Sequence, residues 1–370
     1  MRGAMLRPVV IAAGGTGGHF FPAEALAGEL IARGRRVVLF TDARSGSVAS
    51  PVFAGQERFL IAGRGVFGRG ARHALGSALS LARGVLQARR ALAGLDASVV
   101  VGFGGYPAVA PALASRLLRR RPKLVLHDQN AVLGRANRLL ARLPCVLALS
   151  HAATEKLPPN TKTVLTGNPV RPAVLKAIRP YEPPMAGLRL LVLGGSLGAR
   201  VFSDVVPAAV ALLPEALRAR LSIVQQCRQE DLARVETAYA PLGVKARLAP
   251  FFPDVADLLA AAHLVICRGG GSTVAELAAA GRPALIVPLP IAIDDDQGAN
   301  ARTLVAAGGA WLVRQPDFTP AALAERLSAL AADPQTLAAA AEAARAAAIP
   351  DAASRLADLV ERTLAEDVLS

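Results

Sequence analysis

The sequence predicts an α/β fold of two Rossmann-like domains in tandem, and three observations support this prediction. Short β-branched runs alternate with longer Ala- and Leu-rich segments, which is the pattern of βαβ units around a parallel sheet. The length of 370 residues suits two domains, since one domain typically takes ~100–200 residues. Five prolines within residues 169–184 interrupt the pattern and predict a linker between the two halves.

The apolar runs predict seven strands in the first half and six in the second. Those of the first half are Val9–Ala13, Arg36–Thr41, Phe59–Ala62, Ser98–Gly102, Lys123–His127, Val146–Ser150 and Thr163–Thr166. Those of the second half are Leu190–Leu193, Ser222–Gln226, Val244–Leu248, Leu264–Cys267, Ala284–Pro288 and Ala310–Val313. From Pro320 onward the chain is Ala-rich and predicted to be helical. We expect domains over residues 1–168 and 169–345, with a ligand cleft between their sheets.

The composition excludes several classes of protein. A charged fraction of 19% with 53% apolar residues excludes intrinsic disorder. The three cysteines are distant from one another and odd in number, which excludes a disulfide framework and a CxxC metal site. We interpret them as buried free thiols in a reducing cytosol. No run of about 18 uncharged apolar residues is present, so no membrane-spanning helix is predicted. The glycine-rich segment at 14–18 follows the start too closely for a secretory signal.

Positive charge is concentrated in the first half of the chain. Residues 1–170 carry 23 Lys and Arg against 7 Asp and Glu, whereas residues 171–370 carry 19 against 21. A GC-rich genome would explain the preference for Arg over Lys but not the difference between the halves. An anionic partner is therefore expected for the first half: nucleic acid, a lipid surface or a phosphorylated substrate.

Two basic segments favour the lipid surface among these partners. Residues Arg72–Leu92 form an amphipathic helical pattern with Leu75, Leu79, Ala82 and Leu86 on one stripe, flanked by Arg72, Arg83, Arg89 and Arg90. Residues Arg119–Lys123 add a second basic cluster, and Val66 and Phe67 lie in a preceding apolar loop. Core packing of the stripe with a solvated opposite face is the alternative. Nucleic acid is disfavoured because only 4% of residues are aromatic and none interleave with the basic clusters.

Four glycine-rich loops each follow an apolar strand directly. They are Gly14–His19, Gly102–Tyr106, Gly194–Arg200 and Arg268–Thr273. The first loop is followed by Pro22 and a predicted helix over Ala23–Arg33 that ends at Gly34, with proline in the first turn and glycine just beyond the last. Glycine lets the backbone approach a ligand, and the N–H groups of a following helix attract anions, most often phosphate. None is a Walker A loop or a complete GxGxxG fingerprint, and a single one could be only a tight turn. Two such loops in each half predict diphosphate recognition by both domains.

Further polar clusters are expected near the cleft. His127–Asn130 ends a strand at the edge where open α/β sheets bind ligands, and Asn130 suits a sugar hydroxyl, although it could instead cap the helix around Gly134–Arg142. Arg171 follows the junction motif and suits a diphosphate. The aspartates of Asp294–Asp296 are interpreted as solvated or helix-capping rather than as metal ligands, so no metal site is predicted. Gln297 and Asn300, one helical turn apart, are candidates for sugar contacts.

Taken together, these motifs resemble the MurG family of N-acetylglucosamine (GlcNAc) transferases. The resemblance is carried by Gly14–Ala23, Gly102–Pro107, His127–Asn130, Thr166–Arg171, Gly194–Arg200, Cys267–Glu276 and Pro288–Ala301, in that order over roughly residues 8–350. It implies a GT-B fold and an inverting, metal-independent transfer of GlcNAc from UDP-GlcNAc to lipid I, the undecaprenyl-pyrophosphoryl-MurNAc-pentapeptide. The product is lipid II for peptidoglycan synthesis, and no cofactor is implied.

The resemblance also implies a division of labour and a location. The first domain binds the acceptor and an anionic phospholipid surface, and the second binds UDP-GlcNAc. A C-terminal helix, about residues 346–370, packs back on the first domain. The enzyme would act peripherally at the cytoplasmic face of the bacterial inner membrane, within a possible cell-wall synthesis complex that serves cell shape and division. No nucleic-acid partner is implied.

Site residues follow by motif from the same resemblance. His19 is the candidate catalytic base, and the acceptor diphosphate loops contain Gly14, Gly15, Gly104, Gly105 and Tyr106. The UDP-GlcNAc contacts are Thr16, Gly17, Gly18, Asn130, Arg171, Ser196, Phe252, Thr273, Glu276 and Gln297. Two departures are present: Leu197 replaces a usual Gln, and Gly269 and Gly271 stand where Ser or Ala are common.

Two other functions remain open from the residues themselves. Another GT-B enzyme, such as a UDP-GlcNAc epimerase or a transferase with a different lipid acceptor, would share the donor loops. A non-catalytic, membrane-peripheral nucleotide-binding module would bind UDP without turnover.

Overall fold

The chain folds into two compact units. The computed structural model describes residues 7–14, 17–43, 50–63, 71–195, 198–291 and 294–365, with the backbone alone for 71–75. The first unit comprises Met1–Arg171 and Ile349–Ser370, and the second comprises Pro172–Ala348. The division falls three residues after each of the two boundaries expected from the sequence, 168 and 345.

The first unit is built on a seven-stranded parallel sheet. Its strand order is β3-β2-β1-β4-β5-β6-β7, so the sheet grows in opposite directions from β1. The strands are β1 (Val9–Ala12), β2 (Val37–Thr41), β3 (Glu57–Leu60), β4 (Val99–Gly102), β5 (Lys123–Asp128), β6 (Val146–Leu149) and β7 (Thr163–Leu165). The helices are α1 (Gly17–Ala32), α2 (Ala71–Leu95), α3 (Gly105–Arg116) and α4 (Arg135–Leu140), joined by α14 (Ala352–Ala365) from the chain's end.

Helices cover both faces of this sheet. Along β1, Val9 and Ile11 pack with α1 and α14, whereas Val10 and Ala12 pack with α2 and α3. This alternation follows from the period-two pleat of a strand whose two faces are both buried. Arg33 of α1 ties α14 in place by ion pairs to Asp358 at 2.6 Å and Glu361 at 2.9 Å. The C-terminal helix is therefore part of the first unit's core.

The second unit repeats the plan with six parallel strands. Their order is β10-β9-β8-β11-β12-β13. The strands are β8 (Leu188–Leu193), β9 (Leu221–Gln226), β10 (Lys245–Ala249), β11 (Leu264–Cys267), β12 (Ala284–Ile286) and β13 (Ala310–Leu312). The helices are α5 (Pro172–Ala177), α6 (Arg200–Ala211), α7 (Glu215–Arg218), α8 (Leu232–Tyr239), α9 (Val255–Ala261), α10 (Gly271–Ala280), α11 (Asp296–Ala306), α12 (Pro320–Ala332) and α13 (Pro334–Ala346).

All thirteen predicted strands are present, but some boundaries differ. The strand predicted at Phe59–Ala62 lies two residues earlier, at Glu57–Leu60, because it is an exposed edge strand whose side chains show no buried alternation. The helix predicted from Ala23 begins at Gly17, so Pro22 lies inside it rather than in its first turn. Pro22 has no N–H to give to the Gly18 carbonyl, so α1 lacks that one backbone bond. Gly34 follows the helix with φ +77°, as predicted.

Two expectations about side chains need correction. The three cysteines are free thiols, but only Cys227 and Cys267 are buried, whereas Cys145 is half-buried. On α2, Leu79, Ala82 and Leu86 are exposed, so packing of this stripe into the core is wrong for them. The buried face of α2 is instead formed by residues such as Ala88 and Leu92. Within the described residues, no helix has both the length and the apolar character needed to cross a membrane.

Candidate active site

The four glycine-rich loops lie where the strand order of each sheet reverses, between β1 and β4 in the first unit and between β8 and β11 in the second. In the first unit Ala12 of β1 pairs with Gly102 of β4, so the loops after these strands emerge side by side. In the second unit Leu193 of β8 pairs with Cys267 of β11, which places the third and fourth loops together. Open α/β sheets bind ligands at this position, outside the carboxyl ends of the strands. Each unit therefore carries one candidate ligand site.

Some predicted site residues lie outside the described part of the chain. These are Gly15 and Thr16 of the first loop and Ser196 of the third. Leu197, which departs from the family pattern, and the apolar-loop residues Val66 and Phe67 also lie outside the described residues.

His19 lies in the first turn of α1, after Gly17 and Gly18. Its ring is half-buried, and its Nδ1 is 3.0 Å from Oε1 of Gln129, which follows β5. Gly14 is buried at the end of the β1 segment, Gly17 is half-buried and Gly18 is exposed. A helix N-terminus can bind a phosphate, and an imidazole beside it can accept a proton.

The second loop provides the surface on which the His19 ring lies. Gly104 and Gly105 both have positive φ, +77° and +64°, which side chains other than glycine rarely adopt. A Cβ at Gly105 would come within 3.3 Å of His19 Nε2, and one at Gly104 within 3.6 Å of Cε1. Glycine at these two positions therefore gives the imidazole its place next to the start of α3.

Tyr106 closes one side of this loop. Its hydroxyl donates a hydrogen bond to Oδ2 of Asp42, a buried residue that follows β2. Its ring packs next to Gly63, where a Cβ would come within 3.2 Å of the ring. These two contacts fix the orientation of the Tyr106 side chain. Gly104 and Gly105, which precede it, form the N-cap and the first residue of α3.

Asn130 belongs to a loop that is organised by Asp128. The buried Asp128 carboxylate accepts hydrogen bonds from Asn130 N at 3.0 Å, Gly134 N at 2.8 Å and Asn137 Nδ2 at 2.9 Å. Burial raises the pKa of Asp128, and these three donors oppose that shift. The N-cap of α4 is Gly134, so the alternative interpretation of Asn130 as that cap is wrong.

Arg171 lies next to the start of α1. Its guanidinium carbon is 4.6 Å from the centroid of the Phe21 ring, two residues beyond His19. Such stacking is worth about 0.5–2 kcal/mol, and a guanidinium is a cation that suits a phosphate. The structure thus brings His19 of α1 next to Gly104 and Gly105 at the start of α3, and it places Arg171 on the Phe21 ring of α1.

In the second unit α10 starts directly after the fourth loop. Gly270 is its N-cap and makes no side-chain cap bond, and the N-terminus of a helix is a common place for an anion to bind. Thr273 and Glu276 are both half-buried and, being three residues apart, lie on one face of the helix. Gly269 allows the start of α11 to approach the fourth loop closely, since a Cβ at Gly269 would come within 2.3 Å of the Gln297 carbonyl oxygen.

Gln297 and Asn300, at the start of α11, have different environments. Oε1 of the half-buried Gln297 accepts a hydrogen bond from Leu289 N at 3.0 Å. Asn300 is fully buried, and its Nδ2 donates to the Gly269 carbonyl at 3.0 Å. The prediction that Asn300 contacts a sugar is therefore wrong, and its role is to hold the fourth loop.

Phe252 and Asp295 complete the predicted set. Phe252 is only 4% exposed, and the guanidinium carbon of Arg247 lies 5.0 Å from the centroid of its ring. Asp295 pairs with Arg314 at 2.8 Å and Arg302 at 3.1 Å, and these cations lower its pKa to about 2. In the described part of the chain, no cluster of three or more His, Cys, Asp or Glu is placed to hold a metal ion.

Three polar residues at these sites received no role from the sequence. Gln226 at the end of β9 accepts from Gly194 N at 3.0 Å and donates to the Gly195 and Pro250 carbonyls, which joins the third loop to the segment before Phe252. Gln129 forms a hydrogen bond with His19, and Asp42 accepts one from Tyr106. All three stand at the carboxyl end of a buried strand, and that position is the signal that could have found them.

The comparisons with known proteins agree with this arrangement. Residues 9–145 match the glycosyltransferase family 28 N-terminal domain, and residues 189–356 match the family's C-terminal domain. A UDP-N-acetylglucosamine–N-acetylmuramyl-(pentapeptide) pyrophosphoryl-undecaprenol N-acetylglucosamine transferase of Granulibacter bethesdensis is 59% identical over 97% of this chain and 94% of the relative. One with the same name from Acidiphilium cryptum is 56% identical over the full length of both.

A solved structure is similar over nearly the whole chain. The crystal structure of Acinetobacter baumannii MurG has a TM-score of 0.77 and 32% identity, covering 96% of this chain and 99% of that one. The chain belongs to the MurG family. Its two Rossmann-like domains are those of the GT-B fold, so the predicted family and fold class are confirmed. The first and second glycine-rich loops lie within the part of the chain that matches the family's N-terminal domain, and the third and fourth lie within the part that matches its C-terminal domain.

Proposed function

We propose that this chain transfers GlcNAc from UDP-GlcNAc to the C4 hydroxyl of MurNAc in lipid I, with inversion, to form lipid II and UDP. The observation that carries this proposal is the 59% identity, over 97% of the chain, to a relative named for that transfer. The chain is a hexosyltransferase of peptidoglycan synthesis. Its product feeds cell wall biogenesis and so supports cell shape and division.

The second unit binds the donor. The N-terminus of α10 meets the diphosphate, and Glu276 and Thr273 on the same helix meet the ribose and phosphates. The backbone at Phe252 meets the uracil, while the Gln297 amide and Ser196 meet the sugar and diphosphate. Support comes from the half-buried positions of Glu276, Thr273 and Gln297 around the fourth loop. Gly17, Gly18, Thr16, Asn130 and Arg171 add contacts from the first unit.

The first unit binds the acceptor diphosphate through Gly14, Gly15, Gly104, Gly105 and Tyr106. The positive φ of Gly104 and Gly105 and the fixed Tyr106 ring support this assignment, because they leave backbone N–H groups at the α3 N-terminus accessible. No side chain at either glycine stands between the helix terminus and a ligand.

His19 is the catalytic base. As the C4 oxygen of MurNAc bonds to the anomeric carbon, its proton passes to the imidazole, and the bond from the anomeric carbon to the phosphate oxygen breaks with its electron pair. UDP leaves with that charge, which helix N-termini and Arg171 stabilise. A donor placed in this way typically contributes ~10²–10³ in rate.

The transfer needs no metal or other cofactor. Asp295, the central aspartate of the triple-aspartate segment, is engaged by Arg314 and Arg302, so its carboxylate is neutralised within the protein. The positive charge that UDP requires comes instead from Arg171 and from the α10 N-terminus.

The first unit docks on an anionic phospholipid surface. On α2, Leu79 and Leu86 are 64% and 53% exposed, and Arg83, Arg89 and Arg90 are exposed beside them. Residues 119–121 add three exposed arginines. Apolar side chains rimmed by cations match the interface of an anionic membrane. The protein therefore acts as a peripheral enzyme at the cytoplasmic face of the inner membrane, where a cell-wall synthesis complex can receive lipid II.

Product analysis tests this function. The protein is incubated with UDP-GlcNAc and a water-soluble lipid I analogue, and the product is examined by mass spectrometry and NMR. We expect one GlcNAc added to the MurNAc C4 oxygen in β configuration. An epimerised UDP-sugar formed without acceptor would indicate the rival epimerase, and UDP binding without any product would indicate a non-catalytic module.

A further inference from the structure

Gln129 is a buried side chain with three polar partners. It is 3% exposed, and its amide lies between His19 Nδ1 at 3.0 Å, the Phe103 carbonyl at 3.0 Å and His127 Nδ1 at 3.2 Å. The Phe103 carbonyl can only accept, so the Gln129 atom facing it must be the NH₂ group. Oε1 then faces His19, and because Oε1 can only accept, His19 Nδ1 must carry the proton.

His127 fixes the Gln129 amide from the other side. His127 Nε2 is 3.1 Å from the Gly167 carbonyl, which can only accept, so Nε2 carries the His127 proton. Its Nδ1 is then an acceptor and takes the second N–H of Gln129. Complete burial lowers the pKa of His127 to about 4, so the ring stays neutral and keeps this acceptor at neutral pH. A flipped Gln129 would place an oxygen against two acceptors.

We propose that Gln129 is the positioning residue that sets the tautomer of His19, with the proton on Nδ1 and the lone pair on Nε2. This inference rests on the proposed function, in which His19 is the base. Nε2 is the ring nitrogen that lies against Gly105 at the α3 N-terminus, where the acceptor diphosphate loops are assigned. A neutral imidazole in the other tautomer would present an N–H there and could not take the acceptor proton.

The other titratable groups around the ring do not perform this task. The Asp128 carboxylate accepts from Asn130 N, Gly134 N and Asn137 Nδ2, which orients the loop after β5. His151 bonds to the backbone of Gln129, and burial lowers its pKa. His127 reaches His19 only through the Gln129 amide. Among the described residues, Gln129 is therefore the side chain that connects the His19 ring to fixed acceptors.

Two substitutions separate positioning from packing. Gln129→Met keeps the volume but removes both the acceptor for His19 and the donors for Phe103 and His127. Gln129→Glu keeps an acceptor for His19 Nδ1 and loses the donors. Ser150→Ala is the matched control, because Ser150 is buried in the same cluster and donates to the Asp128 carbonyl at 2.7 Å. Thermal unfolding of each protein shows whether it is folded.

The tautomer is measured directly by long-range ¹H–¹⁵N NMR of the histidine rings. The chain has five histidines, so a His19→Ala variant identifies the His19 signals. We expect the Nδ1–H tautomer in the parent protein, in Ser150→Ala and in Gln129→Glu, and a mixture of tautomers in Gln129→Met. An unchanged His19 signal in folded Gln129→Met overturns the proposal. If that variant does not fold, loss of the Nδ1–H tautomer in folded Gln129→Glu overturns it.

Kinetics with the soluble lipid I analogue give the second readout. We expect Gln129→Met to lower kcat by about tenfold or more, but by no more than the ~10²–10⁴ that a general base contributes in full, with the KM for UDP-GlcNAc changed by less than about twofold. Gln129→Glu should recover part of kcat and move the acid limb of the pH–rate profile to higher pH, because a carboxylate stabilises the imidazolium. Equal loss in Ser150→Ala and Gln129→Met would overturn the positioning role. Full turnover by His19→Ala would refute the base in the proposed function, whereas the NMR result would still report on Gln129.

Discussion

The guanidinium of Arg171 stacks on the ring of Phe21 at 4.6 Å, which places the last residue of the first unit's N-terminal segment beside the helix turn that carries His19. The Phe21 ring in turn lies against Gly17, the first residue of α1, where a Cβ would come within 2.7 Å of the ring. Positive charge from a side chain and from a helix N-terminus thereby converge on one position. A diphosphate is the ligand that such an arrangement binds best.

Arg171→Ala should weaken donor use without unfolding the protein. Loss of one charged contact costs about 1–3 kcal/mol, which corresponds to an increase of about 5- to 150-fold in the KM for UDP-GlcNAc. Arg171→Lys should recover only part of this, because an ammonium lacks the planar stack on Phe21 and the bidentate edge. Steady-state kinetics check both variants. Equal KM values for the parent and Arg171→Ala would remove Arg171 from the donor site.

Glu276→Ala should raise the dissociation constant for UDP-GlcNAc by a similar factor, because a half-buried carboxylate would lose its bond to the ribose. Glu236→Ala is the matched control, since Glu236 is exposed on α8 of the same unit. Isothermal titration calorimetry measures both. Unchanged affinity in Glu276→Ala would contradict the assignment of the donor site to the second unit.

Stability should fall as the pH is lowered from 6.5 towards 4. Burial lowers the pKa of His127 to about 4 from an ordinary value of 6.5, so in this range the unfolded chain binds the proton that the folded chain excludes. Stability is therefore fully present above pH 6.5 and is lost as the pH falls, by up to about 3 kcal/mol for this group. Urea unfolding at several pH values measures the slope. His127→Asn should flatten it, and an unchanged slope in that variant would contradict the buried neutral state.

Neutralising Arg83, Arg89 and Arg90 to Gln should release the protein from anionic vesicles. Each cation near such a surface contributes about 1 kcal/mol, and the attraction is screened by salt over about 8 Å at physiological ionic strength. UDP binding and turnover of a soluble acceptor should persist, because we propose the donor loops in the second unit. A control triple variant of the exposed Arg220, Arg326 and Arg362 should still co-sediment with vesicles.

The same vesicles test whether the exposed face of α2 docks on a membrane or is only a solvated surface. Leu79→Ser with Leu86→Ser should weaken binding even at high salt, because the apolar part of the attraction is not screened. If both the arginine variant and the leucine variant sediment like the parent, the exposed face of α2 is only a solvated surface.

Much of the fold was predictable because both sheets are buried on two faces. Their central strands, such as β1 and β11, read as continuous apolar runs followed directly by glycine, so strands and ligand loops were found together. The edge strand β3 lacked that signal and was placed two residues late. The start of α1 was missed because Pro22 was taken as the first-turn residue, although the helix begins at Gly17.

The side-chain network of the site was less predictable. Asn300 and Gln297 looked equivalent at a spacing of one helical turn, but only the fold shows that Asn300 is buried and holds the Gly269 carbonyl. The role of Gln129 depends on the Phe103 carbonyl and on His127, contacts that follow from the order of β1, β4 and β5 in the sheet. Periodicity reports which face of an element is buried, and it does not report which polar groups meet there.

UDP release is the measurement that tests the central claim most directly. The protein is incubated with UDP-GlcNAc in excess EDTA, with and without a soluble lipid I analogue, beside the His19→Ala variant. We predict acceptor-dependent UDP release that EDTA leaves unchanged, and a loss of ~10²-fold or more in His19→Ala. Release that is independent of the acceptor, or that stops in EDTA and returns with Mg²⁺ or Mn²⁺, would contradict a metal-independent transfer to lipid I.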